Sequence, residues 1–94
     1  MLDPEVVLRS DAAAVASGAP AELRGASQVA ETFAGRARAA QPALVDGVAA
    51  LVWAQGGEPR VVFDLTFADG RIAAIDLLAD PELVRELDVE LLDG

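Results

Sequence analysis

FDLTFADGRIAAID, residues 63–76, carries the pattern that decides the fold. Two apolar runs flank Asp69-Gly70, and a two-residue Asp-Gly loop signals a hairpin because a type I′ turn needs positive φ at both positions. RVVFDLTFA (60–68) is dominated by β-branched and aromatic residues and reads as a strand, with RIAAIDLLA (71–79) as its return. The loop fixes an expected register: Ala68 opposite Arg71, Phe67 opposite Ile72, Leu65 opposite Ala74 and Phe63 opposite Asp76. Opposed residues share a face. One face then holds Val61, Phe63, Leu65, Phe67, Ile72, Ala74, Asp76 and Leu78, and the other holds Val62, Asp64, Thr66, Ala68, Arg71, Ala73, Ile75 and Leu77. On this register Asp64 belongs to the wetter face and Asp76 to the apolar one. A carboxylate on an apolar face has a raised pKa unless it is paired, which makes Asp76 the candidate acid–base. The alternative is that Asp76 bonds a backbone amide or Arg9, or sits at an open rim. A bulge in either strand would exchange the faces.

Outward from the hairpin, EVVLRS (5–10) reads as a short strand, with Asp3-Pro4 as a stop before it. Residues 11–24 are small and weakly patterned, and Gly18 with Pro20 marks a turn; the segment reads as a loop with room for a short strand around Ala13 to Ala16. Residues 26–40 read as a helix, with Val29, Phe33, Ala37 and Ala40 on one face. Gly25 or Ser27 caps its start and Pro42 ends it. Gly35 suggests close packing, and Arg36 and Arg38 are expected in solvent. ALVDGVAALVWA (43–54) forms one long β candidate with a bulge or sharp bend at Gly47. QGGEP (55–59) is a turn. Asp80-Pro81-Glu82 opens a final short helix running to about Leu87: Asp80 caps it, Pro81 suits the first helical position, and Glu82 favours the positive helix end. The tail from Val89 either adds a last strand or packs loosely. The sum is an α+β domain: a three- or four-stranded antiparallel meander with one long helix before it and a short helix after.

Ninety-four residues make a single domain, 1–94, the expectation. A chain of this size buries only about 60–65% of its unfolded surface. Cysteine is absent, so neither a disulfide nor a thiolate metal site supports the core, which fits a reducing cytoplasm. No apolar run has the length of a membrane span, and the N-terminus has no secretory pattern. Sixteen acids oppose seven arginines, giving a net charge of −9. That balance argues against direct binding to nucleic acid and permits a basic protein partner. Without histidine, lysine, cysteine or tyrosine, the chain has no Ser-His or Cys-His nucleophile, no His-ligated zinc and no Schiff base; acid–base work falls to Asp and Glu. No metal and no cofactor is expected. Trp53, the single tryptophan, is either a packing residue or a surface for ligand stacking.

LDPEVVLRSD, then LRGASQVAETF, then PALVDGVAALVWAQGGEPRVVFDLTFADGRIAAIDLLADPELVREL, resemble the SnoaL-like C-terminal extension of one group of bacterial extracytoplasmic-function sigma factors, within the wider NTF2-like superfamily. The resemblance spans almost the whole chain. It implies a bent antiparallel sheet forming a cone, with helices over the concave side. It also implies a cytoplasmic domain that modulates the sigma regions and, through them, RNA polymerase. In stand-alone relatives of this type the cone is a small-molecule pocket, and some are polyketide cyclases or isomerases that use an aspartate. On that reading Asp76 is the acid–base or polar anchor, Trp53 and Phe63 are walls, and Arg9 or Asp11 stands at the rim. The chain departs from the pattern where an Asp-Gly-Gly motif usually follows the first strand. Here the residues are Asp11-Ala12-Ala13, and alanine resists positive φ. The resemblance further leads to the expectation that the N-terminal helices of the cone are missing, leaving a truncated product or a stand-alone remnant. An apolar sheet face would then be exposed, and homodimerisation through it is expected.

Three readings therefore stand side by side: a non-catalytic regulatory domain of a sigma factor, a ligand-binding or catalytic cone, and a structural remnant whose partner is itself.

Overall fold

Seven strands and three helices make up the computed structural model, which describes the backbone of residues 2–36 and 40–92 and the surroundings of all of these but 35 and 36. In chain order they are β1 (Leu2–Ser10), α1 (Ala12–Ala16), β2 (Glu22–Arg24), α2 (Ala26–Arg36), β3 (Gln41–Val45), β4 (Val48–Gln55), β5 (Glu58–Ala68), β6 (Arg71–Leu78), α3 (Pro81–Glu86) and β7 (Val89–Leu91). All strands join one sheet in the order β2-β1-β6-β5-β4-β3-β7. The fold is α+β, but the sheet is mixed and larger than the expected meander. β1 runs parallel to β6, and short antiparallel strands close both edges.

Three two-residue turns build the β3–β6 meander. Asp69 and Gly70 both have positive φ, as the sequence requires, and so do Asp46 with Gly47 and Gly56 with Gly57. The Asp46-Gly47 pair turns the expected long strand 43–54 into a hairpin of β3 and β4. Pro42 lies inside β3, opposite Leu51, instead of stopping the helix. Residues 11–24 hold the short helix α1 where the sequence suggests a loop with room for a short strand around Ala13 to Ala16, and the strand there, β2, comes later, at Glu22–Arg24. β1 begins at Leu2, so Asp3-Pro4 interrupts the strand without stopping it. Pro4 has no amide to donate, the Asp3 carboxylate accepts from the Glu5 amide at 2.8 Å, and the β1–β6 register breaks between Leu2 and Val7.

The hairpin register departs from expectation at one point. Ala68–Arg71 and Phe67–Ile72 pair as predicted, but Thr66 then pairs with Ala74, leaving Ala73 as the extra residue of a bulge. From there each partner moves by one. Leu65 faces Ile75, Asp64 faces Asp76 and Phe63 faces Leu77, in place of the Leu65–Ala74 and Phe63–Asp76 pairs.

That shift separates two cores. On one face Leu8, Ile75, Phe63 and Leu77 join Val6, Ala14, Ala19 and Val29, beneath α1 and α2. Phe33 of α2 packs on Phe63 with ring centroids 5.6 Å apart. Ala40 packs against the same cluster. The expectations for Gly35, Arg36, Ala37 and Arg38 lie outside the described residues. On the other face Ala43, Val52 and Val62 bury Val84 of α3, with Leu78, Leu87 and Val89 around them. The sheet thus carries helices on both sides, each covering a different part of it.

The contrast between two phenylalanines on one face of β5 tests how far along the strand the core extends. Phe63 is 2% exposed and Phe67 57%. Phe63→Ala is expected to cost about 3–5 kcal/mol of unfolding free energy. Phe67→Ala is expected to cost the monomer under about 1 kcal/mol, both read by urea denaturation at a concentration low enough to keep the chain monomeric.

Candidate functional site

The five residues singled out in the sequence do not form one site. Phe63 lies in the core under α2. Asp76 alternates with buried Ile75 and Leu77 and therefore points to the opposite face, not to the apolar face expected for it. The bulge at Ala73 is the physical reason. There Asp76 meets Arg9, its parallel-strand neighbour, in a bidentate pair: Nε donates to Oδ1 at 3.0 Å and Nη2 to Oδ2 at 3.2 Å. The Arg9 side chain is 55% exposed and that of Asp76 27%. An ion pair this wet contributes roughly 0–1 kcal/mol.

Asp11 occupies a different position, between the end of β1 and the start of α1. Its Oδ1 accepts from the Ala14 amide at 2.8 Å and caps α1. Its Oδ2 accepts from the amides of Ala79 at 2.8 Å and Asp80 at 3.0 Å, across the sheet. Its own amide donates to the Leu77 carbonyl at 3.0 Å. Burial works to raise the pKa of this carboxyl, but the backbone amides of Ala14, Asp80, Ala79 and Ala13 outweigh it and hold the group below the usual Asp range. Asp80, fixed in this way, caps α3 by accepting from the Glu82 amide at 3.0 Å, with Pro81 at the first helical position as the sequence indicates.

Trp53 is 36% exposed and lines a groove of about 580 Å³. Sequence reasoning missed the rest of this groove, because it arises from a mismatch in strand length. The last β5–β6 pair is Val62 with Leu78, so residues 58–61 of β5 extend past the end of β6. The chain turns away through Ala79 into α3, and the groove opens between that overhang and the helix. Val61, Val84, Leu87 and Val89 supply apolar wall, while Arg60, Arg85 and Glu58 supply charge. Among the described residues no group of three or more His, Cys, Asp or Glu side chains could hold a metal. No described helix is long and apolar enough to cross a membrane.

Comparison with known protein families, with curated proteins and with solved structures finds no match for this chain.

Two outcomes follow for Asp11. Asp11→Ala is expected to cost about 1–3 kcal/mol, since it removes a helix cap and leaves two further amides without their charged acceptor. Its native pKa is lowered, so its contribution is complete above the unfolded value of about 3.9 and is lost as pH falls through the lower native value. Denaturation at pH 7, 4 and 3 should therefore show Asp11→Asn less stable than the wild type at pH 7, with the gap narrowing at pH 3. For Arg9 and Asp76, a double-mutant cycle with Arg9→Gln and Asp76→Asn should give a coupling below about 1 kcal/mol.

Proposed function

We propose that this chain is a non-catalytic interaction domain of the SnoaL-like, NTF2-like type, resembling the C-terminal extension of an extracytoplasmic-function sigma factor and acting on transcription initiation through protein contacts. The observation that carries this reading is the engagement of the aspartates. Asp11 is bonded to backbone amides and Asp76 to Arg9, so neither offers a free carboxylate to a substrate on the apolar face. That weighs against the cyclase-like or isomerase-like alternative, which needs a positioned base and an oxyanion partner.

Two further features support the reading. The register shifts between β1 and β6, β4 and β5, and β5 and β6 are irregularities of the kind that bends strands, and a cone needs bent strands. On the α2 side, the alternating positions of β3 to β5 place Leu44, Leu51, Leu65 and Phe67 along an uncharged strip. In a chain of net charge −9, an uncharged strip is where a second acidic copy can approach without repulsion. The acidic remainder suits the basic DNA-contacting regions of a sigma factor.

Light scattering tests both contacts. The chain alone should give the mass of a dimer that Phe67→Glu converts to monomer. Added sigma regions of a factor bearing such an extension should form a complex that weakens as salt rises from 50 to about 500 mM. A mass unchanged by the sigma regions at low salt would contradict the regulatory reading.

A further inference from the structure

The groove between the β5 overhang and α3 has a composition unlike the rest of the molecule. Sixteen acids and seven arginines make the chain strongly anionic, yet this groove is lined by two arginines and one acid. Arg60 is only loosely held by Glu58, at 3.6 Å, and no ion pair holds Arg85 among the described residues. Arg9 and Arg24, by contrast, are paired at 3.0 and 2.9 Å. Much of the remaining lining is apolar, including Trp53, Val61, Val84 and Val89. A volume of about 580 Å³ lies within the range of small-molecule sites, which combine apolar walls with a few convergent polar groups.

We infer that this groove binds a small organic monoanion with an apolar body, such as a medium-chain carboxylate. Arg60 and Arg85 take the anionic end as charge-assisted donors, and the valines and Trp53 take the body. A peptide strand is a poorer occupant of the same overhang. Pro59 has no amide to donate, and the register irregularity between β4 and β5 at Trp53 and Ala54 disturbs the edge that an added strand would extend. The inference does not rest on the sigma-factor reading: a domain with no sigma partner would bind the same anion.

Trp53 is the single tryptophan and lines the groove, so its emission reports occupancy directly. Octanoate, which is optically silent, should change that emission saturably, and less so in 0.5 M salt. 1-Octanol, equally apolar and uncharged, should bind at least about tenfold more weakly, the scale expected from losing a charged hydrogen bond. Arg85→Gln and Arg60→Gln should each weaken octanoate about fivefold or more while keeping the wild-type circular dichroism. Arg71→Gln, at the far end of the β5–β6 hairpin, should leave binding unchanged. Three results would each overturn the assignment: no response to octanoate, equal affinity for octanol, or wild-type octanoate affinity in both arginine variants.

Discussion

The carboxylate of Asp11 is the constraint on which the arrangement of elements depends. β1 and β6 run parallel, so both chains must leave the sheet at the same end, one into α1 and the other into α3. Each departure frees backbone amides from the ladder, and an unsatisfied amide is costly wherever water is restricted. Asp11 answers for both departures. One oxygen caps α1 and the other takes the Ala79 and Asp80 amides that lead into α3. Asp80, positioned by that bond, caps α3 in turn. Two aspartates thus place two helices on opposite faces of the sheet.

The faces themselves follow from the bulge at Ala73. Without it, Asp76 would lie among Phe63 and Leu65 under α2. With it, Ile75 and Leu77 complete that core, and Asp76 turns outward to the guanidinium of Arg9. The exchange converts a candidate acid–base into half of a surface ion pair. It also explains why a strand of this chain can carry a carboxylate at its centre: the Arg9–Asp76–Asp64 row lies on the side that α2 does not cover. The groove has an equally local origin, in four residues of β5 that extend beyond their neighbour. Scaffold and groove therefore draw on different residues, Asp11 and Asp80 for the one and Arg60, Arg85 and Trp53 for the lining of the other.

What was legible in the sequence divides along the same line. Asp69-Gly70 announced its turn because β-branched and aromatic residues flank it, and Asp80-Pro81-Glu82 announced a helix start because each residue type suits its position. Asp46-Gly47 is the same signal, but only three residues, Ala43 to Val45, separate it from Pro42, so the sequence reads 43–54 as one strand with a bulge or bend at Gly47. DAAAVAS shows no helical stripe, and the helix exists there because Asp11 caps it and Ala14 packs into the core. The bulge left no trace, since Ala73 is flanked by residues that suit either register. β1's place beside β6, and the groove at the end of β5, are long-range outcomes that no local pattern encodes.

The proposal of a binding domain rests on the aspartates being structural, and amide hydrogen exchange at Ala14, Ala79 and Asp80 measures that most directly. Bonded to Asp11, these three amides should exchange far more slowly at neutral pH than an unstructured chain, and in Asp11→Asn they should lose that protection while the amides of Phe63 and Ile75 keep theirs. Exchange at unstructured rates in the wild-type protein would contradict the account, because it would leave Asp11 free for other chemistry.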